Sequence, residues 1–128
     1  MSLDDFHATV ASLTDSLALV SVSGELDLYT AGRLQQAIGE ATSVGADVVL
    51  VDLSGVGFID SMAVGVLVQE TKRLEGRGQS FILVANDPRT LRVFEVTGLD
   101  GVLRRYATLH DALSHLLPAP QGVAAAGG

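Results

Sequence analysis

The sequence predicts an α/β fold: a mostly parallel central sheet, led by an antiparallel hairpin strand and packed by about four helices. Three observations carry this. Short Val- and Leu-rich runs alternate with stretches whose apolar residues recur three and four apart, the alternation that gives parallel sheets with right-handed crossovers. Turn and helix-stop residues fall between these segments. With 48% apolar residues in 128, the chain is the size of one domain and can fill one core.

The elements follow in order. Phe6 to Ser12 reads as a strand, and Thr14-Asp15-Ser16 is turn chemistry that folds it back onto the next one. That next strand, SLALVSVSGELD, puts Ala18, Val20 and Val22 on one face and Leu17 and Leu19 on the other. The spacing then changes: Ala31, Leu34, Ala37, Ile38 and Ala41 mark an amphipathic helix with Thr30 as its N-cap and its end near Gly45. VVLVDLS begins with an unbroken apolar run, as expected of a central strand buried on both faces. GVGFID reads as a loop. A second helix runs from Ser61 to about Glu75, with Val64, Leu67, Val68, Thr71 and Leu74 along its buried stripe and Gly76-Arg77-Gly78 as its stop. SFILVAN is another buried strand, PRTLRVFEVTG a short helix between Pro88 and Gly98, VLRRYA a short edge strand and TLHDALSHLL a closing helix. Residues 1–117 then make one domain, and residues 118–128, PAPQGVAAAGG, lack core-forming residues and are expected to be disordered.

Composition narrows the function. Fifteen acidic against eight basic residues give a net charge of −7 with no Lys/Arg cluster, so direct nucleic-acid binding is not expected. The absence of cysteine removes thiolate chemistry and cysteine zinc sites, and three scattered histidines do not form a metal set. The start, MSLDDFHATV, has aspartates where a signal peptide has basic residues, and no apolar run approaches the roughly 18 residues that span a bilayer. A cytoplasmic protein without membrane insertion is the expectation.

The segment from Asp52 to Ser61 is the natural place for chemistry, between the carboxyl end of a buried strand and a helix start. Gly55, Gly57 and Asp60 make G-x-G-x-x-D, which lacks the third glycine of a dinucleotide loop; the preferred reading is that these glycines let the loop turn. A receiver-like role for Asp52 needs an acidic pair after the first strand and a lysine after a later one. Instead Asn86 follows FILVA, and Glu25 and Asp27 sit ahead of a helix. Asp52 is therefore expected to accept backbone N–H groups of the segment after it. Ser61 lies in D-S-M-A-V rather than G-x-S-x-G, and His110 and His115 read as surface residues, which argues against serine hydrolysis. Glu25 and Asp27 read as solvated carboxylates beside a strand end rather than an acid–base pair. No enzyme activity, cofactor or metal is indicated.

Ser61 stands at the first residue of a helix, where serine is by default an N-cap, and Asp60 is an equally good capping residue. One of the two can cap while the other faces solvent, and an exposed hydroxyl can be phosphorylated.

These residues bring in a family. Gly24-Glu25-Leu26-Asp27 followed by Thr30-Ala31, the run VVLVDLSGVGFIDS ending on Ser61, VFEVTGL ending at Leu99, and Asp111-Ala112-Leu113 entering the last helix together resemble STAS domains of the anti-sigma factor antagonist type, from about Leu17 to Leu117. The resemblance implies that the unphosphorylated form binds an anti-sigma factor, which frees a sigma factor. It also implies that this anti-sigma factor is a serine kinase acting on Ser61, and that a phosphoserine phosphatase reverses the modification. The alternative is a phosphorylation-independent STAS interaction subunit of a transport or sensory complex. The chain departs from the family at Ser61-Met62-Ala63, where Ser-Ser-Gly or Ser-Thr-Gly is common.

On this resemblance, a phosphate of roughly −1.5 to −2 charges on Ser61 would act as a steric and electrostatic block at a docking surface. Glu25, Asp27 and Asp60 are its expected acidic rim. Met62 and Val66 project opposite the buried stripe as its apolar centre, and Gly65 allows close approach of the partner. Oligomeric state is left open, a homodimer included.

Overall fold

A computed structural model describes residues 6–118 of the chain, so most of the tail expected to be disordered lies outside the described residues. The elements are β1 (His7–Ser12), β2 (Leu17–Leu26), α1 (Ala31–Ser43), β3 (Val48–Ile59), α2 (Ser61–Glu75), β4 (Ser80–Val84), α3 (Pro88–Val96), β5 (Arg105–Tyr106) and α4 (Leu109–Leu116). The strands form one five-stranded sheet in sequence order. β1 pairs antiparallel with β2, and every later pairing is parallel. The expected α/β architecture, hairpin strand and helix count all stand.

Local chemistry explains the hairpin. Thr14 Oγ1 accepts from the N–H groups of Ser16 and Leu17, closing the turn and setting the register His7 opposite Ser23. β3 is central because its alternating side chains find cover on both sides: Val49, Val51 and Leu53 meet the core under α1, α2 and α3, while Leu50 meets Leu17, Ile82, Val84 and α4 residue Ala112. Three helices therefore lie on one face and α4 on the other. At the end of α2, Gly78 takes φ +77°, a conformation that favours glycine, and Gln79 N–H returns to the Leu74 carbonyl.

Three local expectations are corrected. GVGFID is not a loop: its first five residues continue β3, which carries two bulges where its pairing with β2 shifts register. Alternation is broken at each bulge, and that hides the strand from a period-two pattern. Thr30 makes no side-chain cap to α1; its hydroxyl instead donates to the Glu25 carbonyl and accepts from Asp27 N–H. The buried face of α2 includes Ala63 and Glu70, while Val68 is only half-buried, so the helix is rotated from the stripe that hydropathy alone marks. Glu70 is tolerated there because Arg73 reaches it at 2.6 Å, and that bond raises the Arg73 pKa above its ordinary value.

Candidate functional site

The parallel pairing of β2 and β3 brings their carboxyl ends together, with Leu26 opposite Ile59 and Glu25 opposite Phe58. Asp60 N–H then donates to the Leu26 carbonyl at 3.2 Å. The close approach depends on Gly55, where an added Cβ would stand 2.9 Å from Ser23 Cβ and 3.0 Å from the Val22 carbonyl oxygen. Gly57, by contrast, has open space around it. The first glycine is thus required by strand-to-strand packing rather than by a turn.

Asp60 and Ser61 divide the start of α2 between them. Asp60 is in extended conformation at the N-cap, and its Oδ1 accepts from Ala63 N–H at 2.9 Å. Its Oδ2 accepts from Leu28 N–H at 3.3 Å, which ties the segment after β2 to the start of α2. Ser61 is the first helical residue, is exposed, and its hydroxyl makes no hydrogen bond among the described residues. Of the two capping candidates, the aspartate caps and the serine faces solvent.

Asp27 is drawn into the backbone. Its Oδ1 accepts from Tyr29 N–H at 2.9 Å, Thr30 N–H at 3.1 Å and the Thr30 hydroxyl at 3.3 Å, which closes the turn ahead of α1 and leaves the helix itself without a side-chain cap. Glu25 is exposed at the end of β2, with its side chain free of hydrogen bonds among the described residues. Both carboxylates lie at the same end of the sheet as Ser61.

Around Ser61 the surface is more apolar than the sequence suggests. Met62 is 57% exposed, as its helical position predicts, and Gly65 is exposed with open space above it. Val66 is half-buried, because the rotation of α2 carries it toward the core. Three further apolar side chains are exposed at the same end: Leu28 at 56%, Tyr29 at 87% and Phe58 at 51%. Sequence reasoning missed them. Phe58 was hidden by reading GVGFID as a loop, and Leu28-Tyr29 stands between a strand and a helix, outside both periodic patterns.

The rest of the strand ends offers little for catalysis. Asp52 does not end its strand: it lies within β3 at the first bulge, where its Oδ1 accepts from Ser54 N–H at 2.9 Å, the backbone bond expected of it. Asp87 caps α3 through Arg89 N–H, and the Arg89 guanidinium beside it holds its carboxyl below the usual carboxylate range. His115 stacks on Tyr106, with ring centroids 5.3 Å apart, and its Nδ1 lies 2.8 Å from the Asp111 carbonyl oxygen. Among the described residues no three acidic or histidine side chains converge into a metal-binding set.

Comparison with known proteins agrees with this geometry. The STAS domain profile matches residues 8–112. The anti-sigma-F factor antagonist RsfB of Mycobacterium tuberculosis is 36% identical over 111 residues, covering 87% of this chain and 89% of that protein. An anti-sigma-B factor antagonist of Listeria monocytogenes is 36% identical over 85 residues, covering 66% of this chain and 74% of that protein. The crystal structure of an anti-sigma factor antagonist from Mycobacterium paratuberculosis shares the fold with a TM-score of 0.79 at 36% identity, covering 91% of this chain and 98% of that one.

Proposed function

This chain belongs to the STAS domain family, among relatives named anti-sigma factor antagonists, and we propose that it acts as one itself, switched by phosphorylation of Ser61. In this reading the unphosphorylated domain binds an anti-sigma factor that is a serine kinase, so that a sigma factor is released. Phosphate on Ser61 ends the complex, and a phosphoserine phosphatase restores it. The protein works in the cytoplasm; among the described residues no helix is long and apolar enough to cross a membrane.

One observation carries the reading: Asp60 caps α2, and the Ser61 hydroxyl stands exposed beside it among exposed Leu28, Tyr29, Phe58 and Met62. Exposed aromatic and Met side chains of this kind supply the buried centre of an interface, and Glu25 with Gly65 and Val66 completes the surface. A phosphate at that point sets a dianion against a surface built to lose water, next to the Asp60 carboxylate, and the complex pays both desolvation and like-charge repulsion. No motion of the sheet is needed.

The test is phosphorylation with the purified partner. The chain is incubated with ATP alone and with a purified anti-sigma factor kinase, and the modified residue is mapped by mass spectrometry. Phosphate on Ser61 only when the kinase is present supports the reading. Stable binding with no phosphate transferred would favour the phosphorylation-independent interaction subunit instead.

A further inference from the structure

Among the described residues β1 is an outer edge of the sheet with no strand paired to its far side, and His7–Ser12 carries none of the side chains that keep strand edges apart. His7–Ser12 pairs with β2 in unbroken register and contains no proline, lysine or acidic residue. Beside it runs α1, which returns antiparallel to β2 and so in the direction of β1. Arg33 anchors the two, donating to the Phe6 carbonyl at 3.2 Å and stacking 4.9 Å over the Phe6 ring. Phe6, Ala8, Arg33, Gln36, Ala37 and Glu40 line a groove of about 150 Å³ along this edge.

The charges on the groove have an order. Arg33 and Glu40 are both exposed, lie two helical turns apart with Gln36 and Ala37 between, and have no ion-pair partner among the described residues. A surface that reads positive, neutral, negative along its length is complementary to itself when turned end for end. We propose that β1 and the adjacent side of α1 form a two-fold interface with a second copy of this chain. The two β1 strands pair antiparallel about Ala8, and Arg33 of each copy meets Glu40 of the other. An axis at Ala8 sets Phe6 opposite Val10 and His7 opposite Thr9. Ala8 lines the same groove as Gln36 and Ala37, which lie midway between Arg33 and Glu40, so one axis serves both strand and helix. The strand supplies backbone hydrogen bonds to any extended partner; the charge order is what selects a second copy.

Sedimentation equilibrium of the full chain tests this, with circular dichroism to confirm that each variant folds. The wild-type chain is expected to show a monomer–dimer equilibrium between micromolar and millimolar concentration. Thr9→Lys, at an exposed edge position, and Glu40→Arg should each weaken it by about tenfold or more. Arg33→Glu should weaken it likewise, and mixing the Arg33→Glu and Glu40→Arg chains should restore association, because both cross-copy pairs then become opposite in sign. A chain monomeric at every concentration, a dimer indifferent to these changes, or a mixture no tighter than its parts overturns the proposal.

Discussion

The carboxylate of Asp60 accepts the backbone N–H of Ala63 at 2.9 Å and thereby takes the capping position of α2 away from Ser61. A serine used as a cap has its hydroxyl committed to the backbone; here it is exposed and uncommitted. Asp60→Ala should therefore cost about 1 kcal/mol of stability, and Asp60→Asn much less because the amide oxygen still accepts. Urea unfolding of the three proteins measures this. In Asp60→Ala the serine is free to take over the cap, and its rate of phosphorylation should fall.

Gly55 and Gly57 stand in the same strand but differ in packing. Gly55→Ala forces a methyl group to 2.9 Å from Ser23 Cβ, where strand β2 must shift, and is expected to destabilise by about 1–3 kcal/mol. Gly57→Ala meets open space and should be tolerated. Thermal unfolding distinguishes them; equal effects at both positions would contradict the close approach of β3 to β2.

Asp27 is predicted to act mainly on stability. Its Oδ1 takes two backbone N–H groups and the Thr30 hydroxyl, so Asp27→Ala should cost about 1–2 kcal/mol. Glu25→Ala, at an exposed position, should leave stability within about 0.5 kcal/mol and instead slow partner association at low salt. Denaturant titration and stopped-flow association read the two effects separately.

The exposed apolar residues give a graded series. Met62→Asp and Phe58→Asp should weaken partner binding by about tenfold or more, roughly 1.4 kcal/mol per decade, with little loss of stability. Val66→Asp should lower both, because Val66 is half-buried. Isothermal titration calorimetry with the anti-sigma factor, beside melting curves, checks the series.

How much of this was legible beforehand follows from how each signal is encoded. The strands and helices with regular period were readable, because Val20, Leu34, Leu50 and Leu67 sit where alternation or 3.6-residue spacing puts them. The extension of β3 through Gly55, Gly57 and Phe58 was not, since each bulge shifts the phase and the glycines resemble loop residues. The choice between Asp60 and Ser61 as the cap was equally closed. Both are good caps in sequence, and only the Oδ2 contact to Leu28, thirty-two residues away, adds a second bond that Asp60 alone makes. The exposed Leu28, Tyr29 and Phe58 gather at one sheet end only once β2 and β3 are paired.

Control of partner binding by the state of Ser61 is measured directly by calorimetric titration of the anti-sigma factor kinase with the same chain carrying either serine or phosphoserine at position 61. Phosphoserine is installed during synthesis, so that kinase activity is not a variable. Phosphorylation is expected to lower affinity at least tenfold, about 1.4 kcal/mol or more, with Ser61→Ala binding like the unmodified chain. Equal affinity of the serine and phosphoserine forms would contradict this control.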